Sequence, residues 1–235
     1  MAEKTHSYID MKTKAKEFIN PTGLSYLKSS RKRMFDLIGA VVVFPVAFPL
    51  IGIAALAIKI EDNGPVIYEA KVLGQNNTEF MMYKIRSMVP NADKMRADSG
   101  EQHFSKAIND PRITKVGKWI RKLSIDELPQ LLNILKGEMT LVGPRPVFTD
   151  TMEYLSTIKD LESQYKEWKE YYHQVKKGCI NPKLTIGRAE VTHSINGLKI
   201  GMEAEINYMK NASLLNDITW IFRGLLAIVS QKGAY

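Results

Sequence analysis

Residues 37–58 read LIGAVVVFPVAFPLIGIAALAI, an uncharged apolar run that decides how the rest of the chain is organised. The run is long enough to reach through a bilayer core about 30 Å thick, so it predicts a membrane helix. Pro45 and Pro49 interrupt it, and a proline inside a helix removes one hydrogen bond and clashes with the preceding turn. A bend near the middle of the helix is therefore predicted.

The two flanks of this run differ in ways that predict where each lies. Residues 1–33 carry eight Lys and Arg against three Asp and Glu, and this excess of positive charge favours the cytoplasm. The 175 residues after Ile60 form a polar region whose single cysteine is Cys179. A single cysteine excludes an intramolecular disulfide, which is consistent with a cytoplasmic location. If both flanks are cytoplasmic, the helix must enter and leave by the same face of the membrane. The sequence therefore predicts a re-entrant helix that turns at Pro49.

Two alternatives to the re-entrant helix are considered for the same residues. A single-pass helix with tolerated prolines stays open, because transmembrane helices accept proline more readily than soluble helices. A cleavable signal peptide is disfavoured, because the run starts late and is longer than the usual signal core. It is also followed by KIED at 59–62 rather than by a small-residue cleavage site.

Downstream, two β-prone segments predict a hairpin. Residues 66–73 and 78–86 are the predicted strands, and the GQNN sequence between them is typical of a turn. The period of two places Lys84 and Arg86 on one face of the second strand. Residues 116–123 then carry apolar side chains at helical spacing among basic ones. This short helix fits a position at the membrane surface as well as it fits packing on the core.

Residues 124–130 (SIDELPQ) contain the strongest candidates for catalytic side chains in the chain. In a capping box, Ser124 would be the N-cap of a helix and Glu127 its reciprocal partner. Asp126 would then have no structural role beyond a favourable interaction with the helix dipole. Pro129 fits better if Asp126 is the cap, so both starts stay open. Either start places two carboxylates at a positive helix end, where an ionised Asp nucleophile beside a metal-holding Glu is reasonable. Simple capping is the alternative.

Four cationic side chains are candidates for binding phosphate. Arg145 lies between two prolines in GPRP at 143–146, and these prolines restrict its backbone to extended geometry. Arginine binds phosphate oxygens bidentately, whereas lysine acts as a point charge. The candidates for a diphosphate site, if the fold brings them together, are Lys84, Arg86, Arg112 and Arg145.

Five short motifs in a fixed order carry a resemblance to a known family. They are KRMFD at 32–36, YKIRSM at 83–88, DPRIT at 110–114, SIDELPQ at 124–130 and GPRP at 143–146. Together they resemble the bacterial sugar transferases, which are monotopic phosphoglycosyl transferases, densely over residues 31–150. The resemblance implies a mainly α fold with a few short strands (α+β). In that fold a re-entrant membrane helix precedes a cytoplasmic globular domain on the membrane surface.

Members of this family move a sugar 1-phosphate from a UDP-sugar to a polyprenyl phosphate such as undecaprenyl phosphate, release UMP and use Mg²⁺. The resemblance implies a covalent intermediate, with Asp126 as the nucleophile and Glu127 as the residue that binds the metal. It assigns the four candidate cations to the two phosphate-bearing substrates and raises catalysis above simple capping. It also implies the cytoplasmic face of the bacterial inner membrane and the first membrane step of a surface glycan pathway.

The resemblance also implies an organisation of the chain. Its parts are a basic cytoplasmic tail (1–33), a re-entrant membrane helix (34–60), a catalytic core (61–150) and a C-terminal extension of the same domain (151–235). The chain looks like the compact form, without the multi-span N-terminal domain of larger relatives. Phe48-Pro49 stands where the family usually has Ser-Pro, so the proline is kept and the hydroxyl is not. Within the weakly similar extension, residues 217–229 predict a second membrane-surface helix, with a core helix as the alternative.

Two other function classes are weighed against catalysis. A non-catalytic, membrane-tethered scaffold of a glycan assembly complex would not need the Asp126 and Glu127 pair. The net charge of +8 could suggest nucleic acid, but most of it lies in the tail beside the membrane, where aromatic residues are sparse. We therefore expect membrane lipid, a UDP-sugar and polyprenyl phosphate as partners, and no nucleic acid. A homo-oligomer stays open.

Overall fold

The structure, a computed structural model, describes residues 22–92, 94, 95, 110–185 and 194–229. Residues 1–21 of the predicted basic tail lie outside the described residues. The described helices are α1 (Thr22–Leu27), α2 (Ser30–Asp62), α3 (Lys115–Lys122), α4 (Gln130–Lys136), α5 (Thr149–Thr157), α6 (Glu162–Tyr172), α7 (Ile195–Asn211) and α8 (Leu214–Val229). The described strands are β1 (Ile67–Leu73), β2 (Glu79–Ile85), β3 (Met139–Val142) and β4 (Lys177–Ile180). The predicted fold class, mainly helical with short strands, is confirmed.

The apolar run lies inside α2, so the prediction of a long helix there is confirmed. Ser29 caps its start, because the Ser29 hydroxyl oxygen accepts a hydrogen bond from the Lys32 N–H at 3.2 Å. Asn63 follows its end in a left-handed conformation (φ 53°), which stops the helix just before the hairpin. Local capping therefore fixes both ends of α2.

The middle of α2 is apolar on nearly all sides and exposed. The helix is long and apolar enough to cross a membrane, and only 17% of its most apolar window of 18 residues is buried. Val42, Phe48 and Ile53 are among its largely exposed side chains, and such a surface is suited to lipid. Pro45 and Pro49 both lie within the helix, which runs unbroken from end to end. The re-entrant turn at Pro49 therefore stays a prediction.

One face of α2 packs on the globular part of the protein. Ala40, Ala47, Ala54 and Ile58 are buried, and their spacing places them on the same face of the helix. The small residues allow close approach, since a Cβ at Gly39 would overlap the side chain of Leu141 in β3. Helix α2 thus contributes buried residues to the core both near its start and near its end.

The predicted hairpin is confirmed. β1 and β2 pair in antiparallel fashion, with Leu73 opposite Glu79 and Ile67 opposite Ile85, and each strand ends within one residue of the prediction. Arg86 lies one position past the end of β2. The hairpin carries one candidate cation, Lys84, in its second strand.

Helix α3 packs on the core, and its position at the membrane surface stays a prediction. Thr114 caps its start, with the Thr114 hydroxyl oxygen accepting from the Gly117 N–H at 2.8 Å. Ile120 is buried and packs on the core near the end of α2. Trp119 and Leu123 are 67% and 51% exposed, so a strip of the helix surface next to Ile120 is apolar and uncovered by the described residues.

The sequence did not predict that β3 and β4 pair in parallel. The pairing brings two glycines together, and the Gly143 N–H donates to the Ile180 carbonyl at 3.0 Å. The Gly178 N–H donates to the Pro144 carbonyl at 2.9 Å, and a Cβ at Gly178 would overlap the Gly143 backbone. The main core surrounds this strand pair, with Trp168 as its largest fully buried side chain.

The C-terminal helix α8 is amphipathic. Its inner face packs on the strand pair, with Asp217 fully buried and Gly224 against Ile180. Its outer face exposes apolar side chains that include Leu215 and Phe222. Helix α8 therefore contributes to the core and also presents the apolar surface that a membrane-surface helix requires.

Gly178→Ala should destabilise the fold, because the added methyl group would overlap the Gly143 backbone rather than a movable side chain. Overpacking of this kind costs about 1–3 kcal/mol, which thermal unfolding of detergent-solubilised protein would show as a lower Tm. The matched control is Gly52→Ala, where an added methyl group meets nothing within 4 Å. Equal Tm values for the two variants would contradict the close packing of β3 on β4.

Candidate functional site

Asp126 and Glu127 lie on a short 3-10 turn between α3 and α4. Ser124 precedes this turn in a left-handed conformation (φ 54°), and its side chain makes no capping hydrogen bond. Helix α4 begins only at Gln130, after Pro129. The capping-box interpretation is therefore wrong, and so is the alternative with Asp126 as the cap. The physical reason is the left-handed backbone of Ser124. It directs the chain into a separate 3-10 turn, which ends before α4 begins.

The side chains of this turn meet one of the predicted cations. Lys84 Nζ lies 3.9 Å from Glu127 Oε1, and the two side chains are only 20% and 12% exposed. Oδ1 of the neighbouring Asp126 is shielded from solvent. Charges this far from bulk water interact more strongly than charges on the surface. The structure thus brings Lys84 together with Glu127, one of the two predicted acids.

Arg86 is held by protein groups at the junction of α2 and β1. Its guanidinium binds both carboxylate oxygens of Asp62, at 2.8 and 2.5 Å. It also donates to the backbone carbonyls of Pro65 at 2.6 Å and Met88 at 2.8 Å. These bonds tie the end of α2 to the end of β2. Substrate binding by Arg86 stays a prediction, and its contacts give it a structural role of its own.

Arg112 forms a similar bidentate pair with a near neighbour in sequence. Its Nε donates to Asp110 Oδ1 at 2.9 Å, and its Nη2 donates to Asp110 Oδ2 at 2.7 Å. These hydrogen bonds lower the pKa of Asp110, so the pair stays charged at neutral pH. The Arg112 carbonyl accepts from the Val89 N–H at 2.8 Å, which places the pair beside the segment that follows β2.

The backbone of Arg145 is fixed by two buried side chains. Its N–H donates to Glu205 Oε1 at 2.8 Å, and its carbonyl accepts from the Tyr172 hydroxyl at 3.1 Å. The Val147 N–H donates to the same hydroxyl oxygen at 3.0 Å. The GPRP segment is therefore held from both sides, and the described contacts of Arg145 use its backbone.

The described contacts do not bring Arg145 to the carboxylate pair. Val147, two positions later, has a carbonyl that accepts from the Leu73 N–H at the turn end of the hairpin. Lys84 pairs with Tyr68, five positions before Leu73 on β1. Five strand positions correspond to about 16 Å. Lys84, by contrast, lies 3.9 Å from a carboxylate oxygen of Glu127.

Sequence reasoning missed Glu205, which is fully buried on α7. Its Oε2 accepts from the Trp168 indole N–H at 2.6 Å and lies 3.3 Å from Lys183 Nζ. A signal for it exists in the sequence, because Met202 and Ile206 lie on the same face of the helix as Glu205. An acidic residue on an apolar helix face predicts a buried carboxylate with polar partners.

Lys177 is a second buried charge-bearing group that sequence reasoning missed. Its Nζ donates to the carbonyls of Tyr172 at 2.5 Å and Val175 at 2.8 Å. It also lies 3.6 Å from the centre of the Tyr172 ring. Burial lowers the pKa of Lys177 to about 7, while the negative charge of Glu205 opposes this shift. Polar groups from α6, α7 and β4 therefore support the GPRP segment from inside.

A third buried cluster explains the KRMFD motif. Lys32 Nζ lies 2.8 Å from Asp36 Oδ1 and 2.7 Å from Asp217 Oδ2, with all three side chains almost fully buried. Asp36 also accepts from the Thr140 hydroxyl at 2.7 Å and from the Leu141 N–H at 3.0 Å. This ion cluster joins the first turn of α2 to β3 and α8.

Two tyrosines complete the ion cluster. Asp217 accepts hydrogen bonds from the hydroxyls of Tyr208 at 2.7 Å and Tyr26 at 3.0 Å. Burial raises the pKa of Asp217, while Lys32 and the tyrosine hydroxyls oppose this shift. One lysine thus serves two carboxylates, and the tyrosines supply further donors.

In the part of the chain that the structure describes, no group of three or more His, Cys, Asp or Glu side chains could hold a metal ion. Mg²⁺ commonly keeps several waters and binds one or two carboxylates together with substrate phosphates. Glu127 with Asp126 beside it fits that donor set. The predicted Mg²⁺ therefore stays a prediction that the side chains present are able to satisfy.

Comparison with known proteins identifies the family. A family model described as bacterial sugar transferase matches residues 27–231, a range that includes all five motifs. The chain belongs to this family. The resemblance predicted from the motifs is thereby confirmed.

Three relatives of this sugar transferase show how far the similarity extends. The undecaprenyl-phosphate galactose phosphotransferase of Salmonella typhimurium is 36% identical over 221 residues, which cover 88% of this chain and 43% of that protein. The undecaprenyl-phosphate glucose phosphotransferase of Komagataeibacter xylinus is 48% identical over 205 residues, covering 87% and 37%. The exopolysaccharide production protein ExoY of Sinorhizobium fredii is 32% identical over 213 residues, covering 87% and 88%. The chain spans less than half the length of the first two relatives and most of the length of ExoY.

In this sugar transferase, Glu205→Gln should destabilise the segment that carries Arg145. The amide keeps the shape of the side chain, but its NH₂ group cannot accept the hydrogen bond from Trp168, and Lys183 loses its carboxylate. A buried donor left unsatisfied costs about 1–3 kcal/mol, which should appear as a lower Tm in detergent. The control is Glu203→Gln, an exposed position on the same helix. If both variants unfold at the same temperature, Glu205 does not hold this segment.

Proposed function

We propose that this sugar transferase moves a sugar 1-phosphate from a UDP-sugar to undecaprenyl phosphate and releases UMP. The observation that carries the proposal is the turn between α3 and α4, which sets Asp126 and Glu127 beside Lys84 instead of in a helix cap. The names of the relatives support it, since two of them are undecaprenyl-phosphate sugar phosphotransferases.

Asp126 is the proposed nucleophile. One carboxylate oxygen attacks the phosphorus that carries the sugar, the bond from that phosphorus to the UMP oxygen breaks, and UMP leaves with the electron pair. A phosphate oxygen of undecaprenyl phosphate then attacks the same phosphorus, and the Asp126 carboxylate leaves. The product is a lipid diphosphate sugar, and the carboxylate is restored. Dividing the transfer into two displacements means that the two anionic substrates need not occupy the site together.

Lys84 and Glu127 are proposed to neutralise the negative charge of the diphosphate, Lys84 directly and Glu127 through a bound metal ion. Lys84 Nζ, 3.9 Å from Glu127 Oε1, is placed to bind a phosphate oxygen of the nucleotide sugar. Glu127 would hold Mg²⁺, which supplies charge neutralisation at the diphosphate when it is bound. Arg86 and Arg112 each already bind an aspartate, so either would have to share its guanidinium with a phosphate. Arg145 is a candidate for a substrate phosphate through its side chain.

We also propose that α2 is re-entrant and that the catalytic domain lies on the cytoplasmic face of the bacterial inner membrane. The positive excess before α2 and the single cysteine after it support a cytoplasmic position for both flanks. The exposed apolar sides of α3 and α8, which include Trp119 and Phe222, are suited to the lipid surface. A helix that entered and left by one face would keep these surfaces at the same membrane.

A non-catalytic scaffold is the competing function. It would use the same membrane helix and apolar surfaces, but it would not depend on the carboxylate of Asp126. Turnover, and not membrane binding, therefore separates the two functions.

Asp126→Asn should abolish turnover while the protein keeps its fold and its membrane binding, because the amide is a poor nucleophile. We expect UMP release from UDP-sugar and undecaprenyl phosphate in detergent to fall by about 10⁴-fold. Intact mass of the wild type mixed with UDP-sugar alone should show a phosphosugar adduct that the variant lacks. The matched control is Asp160→Asn, an exposed aspartate outside the site, which should behave as wild type. Near-normal UMP release by Asp126→Asn would sink the covalent mechanism.

The proposed topology can be tested with single cysteines in a Cys179→Ser background. Ser25 and Glu79 are exposed positions on either side of α2, and each is replaced by cysteine in turn. A membrane-impermeant thiol reagent should label both variants in inverted vesicles and neither in spheroplasts, because both flanks are then cytoplasmic. Labelling of one of the two positions in spheroplasts would show a single-pass helix instead.

A further inference from the structure

A cleft distinct from the carboxylate turn opens beside the first turn of α2. Its volume is about 140 Å³. Four cationic side chains line it, namely Lys28, Lys32, Arg33 and Lys176, and Asp36 is the acidic residue among them. Nothing in the proposed transfer reaction uses this cleft.

Two of these cations have neutral partners. Lys28 Nζ donates to Gln174 Oε1 at 2.8 Å, and this amide carries no charge. Arg33 donates to the backbone carbonyls of Ile134 at 2.6 Å and Leu135 at 3.0 Å, near the end of α4. Both cations are therefore positioned by the fold without being neutralised by it.

The other two cations differ from each other. Lys32 is neutralised by Asp36 and Asp217. Lys176 has no carboxylate within ion-pair distance in the described ranges, and burial together with the nearby charge of Arg33 lowers its pKa. Together with Lys28 and Arg33, it leaves the cleft with three cations whose charges repel one another. An anion in the cleft would relieve this repulsion.

We propose that this cleft binds the phosphate group of an anionic membrane lipid. Lys28 and Arg33 lie within ten positions before the apolar run, so in a membrane-bound protein the cleft lies at the level of the lipid headgroups. The exposed apolar side chains of Met34 and Ile38, on the next turns of α2, offer a surface for acyl chains. The proposal rests on the membrane placement of α2 given above.

The cleft lies away from the carboxylate turn. Gln75, in the turn of the hairpin, lines the cleft, whereas Lys84 lies five positions along β2 from Glu79. That separation is about 16 Å along the strand. A lipid bound here would therefore hold the protein to an anionic membrane, and it would not be the substrate that Asp126 meets.

The test is thermal unfolding of the detergent-solubilised full chain with dioctanoyl phosphatidylglycerol, dioctanoyl phosphatidylcholine or inorganic phosphate at equal concentrations. Phosphatidylglycerol should raise the Tm by about 3 °C or more, and the other two should not. A double variant, Lys28→Gln with Lys176→Gln, should lose most of this shift. The charge-matched control, Lys159→Gln with Lys166→Gln, removes two exposed lysines elsewhere and should keep it.

Each other outcome overturns a named part of the proposal. An equal shift with inorganic phosphate would indicate a site for a soluble anion and not for a lipid. An equal shift in both double variants, or no shift in the wild type, would show that this cleft is not the site. If the double variant does not fold, Lys28→Gln alone, at an exposed position, should still reduce the shift.

A failure of this proposal can be told apart from a failure of the proposed function. The Tm measurement requires no turnover, and UMP release in detergent without phospholipid should be the same for the double variant and the wild type. Loss of that turnover in the double variant would place the cleft in the reaction itself and overturn its assignment as a separate lipid site.

Discussion

The contact of Lys32 with Asp36 and Asp217 is the constraint on which the arrangement of the molecule depends. It joins the start of α2 to α8, and Asp36 extends the connection to β3 through Thr140. Two carboxylates around one buried lysine are stable only when further donors are present, and Tyr208 is one of them. A charge cluster in the interior thus fixes where α2 lies on the domain.

The cations of the family motifs make contacts of different kinds with the surrounding protein. Arg86 and Arg112 each bind an aspartate bidentately and order the segments around the carboxylate turn. The contact of Lys84 with Glu127 is longer, at 3.9 Å, than the contacts of the arginines with their aspartates. The Lys84 ammonium group is therefore more readily available to bind a phosphate oxygen. The two arginine–aspartate pairs hold the neighbouring segments in place. A site whose surroundings are already ordered loses less conformational entropy when it binds a highly charged substrate.

The sequence correctly predicted the elements of the fold that depend on local sequence patterns. Helix α2 and the hairpin follow from an apolar run, periodicity and a four-residue turn, and all three signals lie within the segments they describe. The helix start near Asp126 was wrong because Ser124 adopts a left-handed backbone, and no residue type there announces it. The parallel pairing of β3 with β4 and the bond from Arg145 to Glu205 join distant segments, so periodicity could not reveal them. Lys84, Asp126 and Glu127 were all named from the sequence, whereas the buried Glu205 and Lys177 were not.

The cluster around Lys32 also has a consequence for synthesis of the protein. Tyr26 and Asp217 are separated by 191 positions. At about 5–20 residues per second, the ribosome reaches the second of these roughly 10–40 s after the first. Throughout this interval Lys32 has Asp36 as a partner but not yet Asp217. A chain that terminates before Asp217 keeps this incomplete cluster and lacks the helix that Asp217 joins to α2.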